Sequence, residues 1–214
     1  MICGLNTGQH IYYELGTGNS ATANLNFNFG SAASTLRQFE VKVTQIPCAA
    51  NYRPASGCFQ YHEGLTGRFQ TFNFADTTTQ HLANQNYDIC IRQEAGYCCV
   101  QYSPCSDPNS YTLDEATAAI AAEVGTLCSL DYIEIDGVGA TCDSNANAML
   151  GARLCGTIFQ TLGGTQNAVN AVCDCTAPFT VRIVTNGVLA TGDGGIAGTQ
   201  RGVCFDYMQI PCNN

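Results

Sequence analysis

The sequence contains no tryptophan and few charged residues, which make up only 12% of its 214 residues. Eight residues are basic, and the formal net charge is −9. Nucleic-acid binding needs a basic stripe along the phosphates, and anionic membrane surfaces attract polybasic segments. No apolar run approaches the ~18 residues that a membrane-spanning helix requires. These absences predict a protein that neither binds nucleic acid nor inserts into a membrane.

Familiar catalytic motifs are missing as well. The chain has no G-x-S-x-G, no H-E-x-x-H and no glycine-rich phosphate loop. A catalytic triad assembles in space rather than in sequence, but the surroundings of the three histidines give no support for one. We therefore expect no enzymatic activity.

Cysteine, by contrast, is abundant, with fourteen residues spread along the whole chain. Zinc sites favour paired C-x-x-C spacings, and the chain has none. An even number of cysteines without such spacings favours up to seven disulfides over metal thiolates. Because persistent disulfides require an oxidising compartment, we predict a secreted, extracellular protein.

Strand patterns dominate the chain. Polar and apolar residues alternate most clearly at 24–29 and 39–44, as in half-buried strands. Further strands are predicted at 69–74, 87–92, 99–102, 131–135, 179–185 and 203–209. Gly-rich and Asn-rich gaps between them favour a sandwich or barrel. The Ala-rich segment 112–124 has early carboxylates that suit a short helix, and an irregular insertion is the alternative.

An imperfect repeat indicates two units. Residues 39–48 resemble residues 203–212, and both segments end in Gln-Ile-Pro-Cys. A Cys-Gly pair and an alternating strand precede each copy, in the same order. We therefore predict that residues 1–48 form the C-terminal half of a domain, and that residues 49–214 form the complete version with insertions.

Several motifs of the second unit form a recognisable skeleton. They lie at residues 58–61, 64–67, 72–74, 89–98, 128–135 and 155–156. These motifs resemble the CUB domain, and among its branches they are most similar to the CUB-domain proteins of arthropods. The resemblance implies an all-β, disulfide-rich jelly-roll sandwich with the disulfides Cys58–Cys90 and Cys128–Cys155.

The same resemblance implies a calcium site. Many CUB domains hold calcium with a Glu, an Asp about eight residues later and an Asp or Asn on a later loop, positions that match Glu123, Asp131 and Asn186. Calcium prefers several hard oxygen ligands, some of them anionic. The alternative is that Glu123 is an exposed carboxylate of the inserted helix, while Asn186 forms an Asn-Gly turn with Gly187.

A charged motif, Arg92-Gln93-Glu94, follows a predicted core strand. It suggests either a binding hot spot, helped by Tyr97 and Tyr102, or an internal ion pair that positions the next turn. We favour the ion pair.

Two functions are consistent with these patterns. The first is an extracellular, non-enzymatic module that binds a protein partner through its loops, assisted by calcium. The second is a structural component that assembles with itself in an extracellular matrix, cuticle or secretion. A half sandwich favours the second, because its exposed strand edges bind another chain unless they are covered. A second chain or a cleaved fragment would complete the half domain, and Cys3 would pair with such a chain or fragment, or with another cysteine.

Overall fold

The protein is an all-β sandwich. Its computed structural model describes residues 1–16, 18, 21–29, 37–75, 80–113, 122–142, 152–161, 171–188 and 200–212. Within these ranges there are twelve strands, and the one helical element is a 3-10 turn at Gly125–Leu127. The predicted fold class is confirmed. No helix in the described part of the chain is long and apolar enough to cross a membrane.

Six strands form the first sheet. They are β1 (Cys58–His62), β3 (Asn86–Ile91), β6 (Ala122–Val124), β7 (Tyr132–Ile135), β9 (Ala152–Gly156) and β11 (Phe179–Val184). Their order is β1-β3-β11-β7-β9-β6. The β1–β3 pair is parallel and the other pairs are antiparallel. The antiparallel pairing of β7 with β11 places the start of β7 beside the end of β11.

The other six strands form the second sheet. They are β2 (Thr66–Gln70), β4 (Tyr97–Pro104), β5 (Tyr111–Thr112), β8 (Val138–Gly139), β10 (Val172–Asp174) and β12 (Gly202–Pro211). Their order is β2-β12-β4-β10-β8, and β5 pairs with β12 beside this path. The longest strand, β12, therefore lies between β2 and β4.

The core lies between the two sheets, where alternate residues of each strand meet. In β11, Phe179, Val181 and Ile183 are buried, whereas Arg182 between them is exposed. In β12, Phe205 is buried in the same hydrophobic cluster. Each such side chain contributes about 1.5–3 kcal/mol of hydrophobic stabilisation. The period-two pattern in the sequence is the direct signature of this burial.

Six disulfides staple the sandwich. They are Cys58–Cys90, Cys98–Cys212, Cys99–Cys175, Cys105–Cys204, Cys128–Cys155 and Cys142–Cys173. The first and fifth are the pairs that the CUB resemblance implies. Cys98 and Cys99, both in β4, bond to Cys212 and Cys175, which directly follow β12 and β10, the two strands on either side of β4. The remaining two cysteines, Cys3 and Cys48, are free and exposed.

Four local predictions are wrong, one of them the strand at 69–74, of which only residues 69 and 70 belong to β2. Residues 24–29 and 39–44 are not strands, because neither segment is paired in a ladder, and the first strand of the described chain begins at Cys58. The helix predicted at 112–124 fails at both ends, where Thr112 belongs to β5 and Ala122–Val124 forms β6. Pairing with β9 overrides the helical propensity of the second end. Residues 114–121 lie outside the described part.

The N-terminal segment, residues 5–14, lies along the edge of the sandwich, and we call it the strap. The backbone N–H of Tyr12 donates to the Phe59 carbonyl of β1 at 2.8 Å. The side chain of Gln9 donates to the Gln70 carbonyl of β2 at 3.2 Å. The strap therefore joins the edge strands of both sheets. The predicted division between residues 1–48 and 49–214 stays a prediction.

Candidate functional site

The fold brings two of the three predicted calcium ligands together. Asp131 immediately precedes β7, and Asn186 lies just after β11, which pairs with β7 in antiparallel register. The backbone N–H of Asn186 donates to Asp131 Oδ1 at 2.7 Å. The side-chain oxygen of Asn186 accepts the N–H of Val188 at 2.7 Å. Asn186 thus shapes its own turn, in agreement with the alternative interpretation of this residue.

A histidine that sequence analysis did not select completes this site. His81 Nε2 lies 3.2 Å from Asp131 Oδ2, and both side chains are buried. Burial lowers the pKa of His81, but the neighbouring Asp131 carboxylate outweighs it, so that the pKa is raised overall. No spacing rule links His81 to a residue fifty positions later, so that the sequence carried no signal for this pair.

Glu123 has a different environment. Both Val124 of β6 and Ile133 of β7 lie opposite Leu154 of β9, so these residues project to one face of the sheet. Glu123 projects to the other face, where its carboxylate lies 3.7 Å from Cys155 Sγ. It is buried, and burial raises the pKa of its carboxyl. The alternative of an exposed helical carboxylate is therefore wrong.

These contacts decide how well the three residues fit calcium. Calcium takes six to eight oxygen ligands at about 2.3–2.6 Å. Asp131 has one oxygen engaged by a backbone N–H and the other beside an imidazole, while Glu123 projects to the opposite sheet face from Ile133. As arranged, Glu123, Asp131 and Asn186 do not fit a shared calcium ion. Calcium binding itself is not tested by any finding and stays a prediction.

The Arg92 motif forms the internal ion pair that the sequence favoured. Arg92 Nη2 lies 2.8 Å from Glu94 Oε1, and Arg92 Nη1 lies 2.7 Å from Glu63 Oε1. Glu94 also accepts the backbone N–H of Gly64 at 3.0 Å. This hydrogen bond and the Arg92 guanidinium lower the pKa of Glu94. The motif therefore holds the β1–β2 turn against the β3–β4 turn.

Gln209 gives the Gln-Ile-Pro-Cys motif a structural role. Its buried side chain donates from Nε2 to the carbonyls of Gly64 and Arg92, at 2.9 and 2.8 Å. Its Oε1 accepts the backbone N–H of Glu94 at 2.9 Å. One amide thus satisfies three backbone groups of two turns. Three residues later, Cys212 bonds to Cys98 and fixes the end of β12.

A set of exposed apolar side chains lies within residues 25–43, and we call it the aromatic face. It consists of Leu25, Phe27, Phe29, Phe39, Val41 and Val43. The ring centroids of Phe27 and Phe39 are 4.6 Å apart, and those of Phe29 and Phe39 are 5.7 Å apart. The six side chains are 45–78% exposed. Exposed, stacked rings such as those of Phe27, Phe29 and Phe39, with exposed aliphatic side chains nearby in sequence, are typical of a site that contacts another molecule.

Comparison with known proteins identifies the family of the chain. A search of curated proteins finds none that matches the chain. Among protein families, the model described as the animal CUB domain matches residues 55–210, which include β1–β11 and all of β12 except Pro211. The match is to the animal family as a whole and does not test the arthropod branch. Because it covers more than half of the sequence, the chain belongs to the animal CUB domain family.

Proposed function

We propose that the protein is an extracellular, non-enzymatic module that binds a protein partner through the aromatic face. CUB domains are generally extracellular, non-catalytic modules that bind other proteins, and the aromatic face lies N-terminal to the matched residues 55–210. The single observation that carries the proposal is the exposure of the stacked rings of Phe27, Phe29 and Phe39. Calcium has no part in this proposal, because Glu123 projects to the opposite sheet face from Ile133, and calcium binding stays a prediction.

The chemistry of the face favours protein over other ligands. Stacked aromatic rings flanked by aliphatic side chains supply rigid apolar area, which is enriched at the centre of protein–protein interfaces. The charged residues within and beside the face, Arg37, Glu40 and Lys42, balance nearly to neutrality. We therefore expect a partner surface that is apolar at its centre and carries no strong net charge.

Lys42 allows a sharp test, because it is the only lysine of the chain and lies between Val41 and Val43. An amine-reactive photo-cross-linker attached there should capture a protein from the extracellular fluid of the source tissue. The matched control carries Lys42→Arg and Arg182→Lys, which preserves net charge and moves the lysine to an exposed position on β11. The amino terminus is labelled in both proteins.

The double variant Phe27→Ser and Phe39→Ser should lose the cross-link at Lys42. Leu127→Ser, which changes an exposed leucine of the 3-10 turn, should keep it. Equal capture from position 182, or capture that survives loss of both rings, would contradict binding through the aromatic face.

A further inference from the structure

The repeat has a structural meaning that only the complete domain reveals. Residues 39–48 correspond in sequence to residues 203–212, which contain most of β12. In β12 the inward residues Val203, Phe205 and Tyr207 are at most 3% exposed. Their counterparts Phe39, Val41 and Val43 are 57%, 52% and 78% exposed. The first unit therefore displays in solvent the face that β12 buries between two sheets.

A polar residue shows the same contrast. Gln209 hydrogen-bonds three backbone groups of the β1–β2 and β3–β4 turns. Its counterpart Gln45 is exposed. The partners of Gln209 all belong to the part of the domain that precedes β5. The residue pattern of 39–48 is thus suited to a set of turns that this first unit does not itself supply.

The two free cysteines complete the correspondence. Cys48 corresponds to Cys212, which bonds to Cys98, and Cys3 corresponds to Cys155, which bonds to Cys128. All fourteen cysteines lie in the described part of the chain, and six disulfides account for twelve of them. Residues 55–212 therefore contain no unpaired cysteine to which Cys48 or Cys3 could bond.

We propose that the occupant of the aromatic face is the front part of another CUB domain, equivalent to residues 55–154, carried by a polypeptide segment outside residues 1–214. This inference rests on the proposed function and names its partner. Strands equivalent to β2 and β4 would cover Phe39, Val41 and Val43 on either side of their segment. Turn backbone groups would bind Gln45, and two partner cysteines would bond to Cys48 and Cys3. The result is a complete second sandwich built from two segments.

Disulfide exchange accounts for the covalent step. The thiolates of Cys48 and its partner displace the two sulfurs of an oxidant protein disulfide in turn. One new S–S bond forms, and the two thiol protons pass with two electrons to the oxidant, whose disulfide breaks and leaves as a dithiol. Cys3 bonds to its own partner cysteine by the same exchange. A second copy of this chain does not serve as the partner, because its Cys98 and Cys128 are already bonded to its own Cys212 and Cys155.

Peptide mapping under non-reducing conditions tests the proposal on the protein as its source secretes it. Free thiols are first blocked with N-ethylmaleimide. Trypsin and chymotrypsin then cut after Lys42 and Tyr52, which isolates Cys48 on residues 43–52, while Cys3 remains on residues 1–12. We expect each peptide to be bonded to a foreign peptide. The foreign cysteine bonded to Cys48 should be followed by an alternating strand like Cys99–Tyr102, and the one bonded to Cys3 should precede a strand like β7.

Three results would overturn this inference: blocked thiols at Cys3 and Cys48, a bond between these two cysteines, or bonds between copies of this chain. Cys48→Ser should remove one adduct and keep the other, and the melting of the stapled domain should not change, because neither cysteine belongs to its six disulfides. A partner captured at Lys42 without a bond to Cys48 would leave the proposed function standing and remove only this inference. If nothing is captured at Lys42, the proposed function fails as well.

Discussion

His81 Nε2 lies 3.2 Å from Asp131 Oδ2, in a site where the two side chains are 2% and 0% exposed. This pair joins the chain before β3 to the start of β7. Removing one partner of a buried ion pair leaves the other charge uncompensated, whereas removing both is far less costly. The pair therefore specifies how two distant segments meet.

We predict that at pH 6, below the raised pKa of His81, His81→Leu destabilises the protein by about 3 kcal/mol, because it leaves a buried carboxylate without its protonated partner. Adding Asp131→Asn to this variant should recover part of the loss, since the amide oxygen can still accept the Asn186 N–H. Urea unfolding with intact disulfides measures both effects. If the loss of unfolding free energy in the double variant equals the sum of the losses in the two single variants, His81 and Asp131 do not interact.

The same pair leads to a prediction about calcium. Because His81 lies beside Asp131 Oδ2, calcium at 1 mM should leave the melting temperature of the chelator-treated protein unchanged, within the error of the measurement. Asp131→Asn should give the same null response. A rise in melting temperature that requires Asp131 would instead support the calcium site that the resemblance implies at Glu123, Asp131 and Asn186.

Asp174 should make stability fall with rising pH. Burial raises the pKa of this carboxyl from 3.8 to about 7; the Thr176 N–H, 2.8 Å from Oδ1, opposes the shift, and Asp136 adds to it. Since the folded state favours the protonated form, the stabilisation is complete below pH 3.8 and is lost as pH rises towards 7. Asp174→Asn should remove this dependence.

The expected size follows from the shift. Above pH 7, Asp174→Asn should be more stable than the natural protein by ~2–4 kcal/mol, because each pKa unit corresponds to about 1.4 kcal/mol. Urea midpoints between pH 4 and pH 8 measure the difference, and Asp206→Asn, at an exposed position of β12, is the matched control. If the urea midpoints of Asp174→Asn and of the natural protein change with pH in the same way, the prediction is wrong.

Gln209 and Gln45 form a matched pair for mutation. Gln209→Leu should cost about 2–4 kcal/mol, because it leaves two carbonyls and one N–H of the turns without their partner. Gln45→Leu in the isolated protein should change stability by less than ~0.5 kcal/mol, as expected for an exposed position. If Gln45→Leu lowers the free energy of unfolding as much as Gln209→Leu does, residues 39–48 are already packed in this chain.

The strap should open when Gln9 is lost. Gln9→Ala removes the hydrogen bonds from Gln9 to the Gln70 carbonyl and from the Gln60 side chain to Gln9. At about 1 kcal/mol for the net contribution of each of the two hydrogen bonds, the amide of Tyr12 should exchange with solvent roughly thirtyfold faster. Thr7→Ala, at an exposed strap position, is the control. Unchanged exchange would mean that Gln9 does not hold the strap.

The strands of the sandwich could be predicted because alternation reports burial directly. Tyr87–Arg92 and Phe179–Thr185 were predicted within one residue of the observed ends of β3 and β11. The same rule failed at residues 24–29 and 39–44, whose alternation matches that of buried strands although they have no ladder partner. A pattern specifies the face that a strand would bury, and it does not specify whether the covering strands belong to the same chain.

The site was less predictable than the fold. Asp131 and Asn186 could be placed together because the CUB resemblance implies a shared site for them, and the pairing of β7 with β11 brings them into contact. Glu123 was misplaced because an Ala-rich segment favoured a helix, whereas pairing with β9 made β6. His81 and the connectivity of the four remaining disulfides depend on three-dimensional proximity between residues far apart in sequence.

The connectivity of two disulfides has a mechanical consequence. If the chain is pulled from both ends, tension enters at Cys58, crosses its bond to Cys90, follows the backbone to Cys98 and leaves through Cys212. Only the backbone between Cys90 and Cys98 then carries force inside the domain. At up to ~3.5 Å per residue, this segment stretches to roughly 30 Å at most. Every other strand is shielded from traction, so that the domain behaves as a nearly inextensible link between whatever is attached to its two ends.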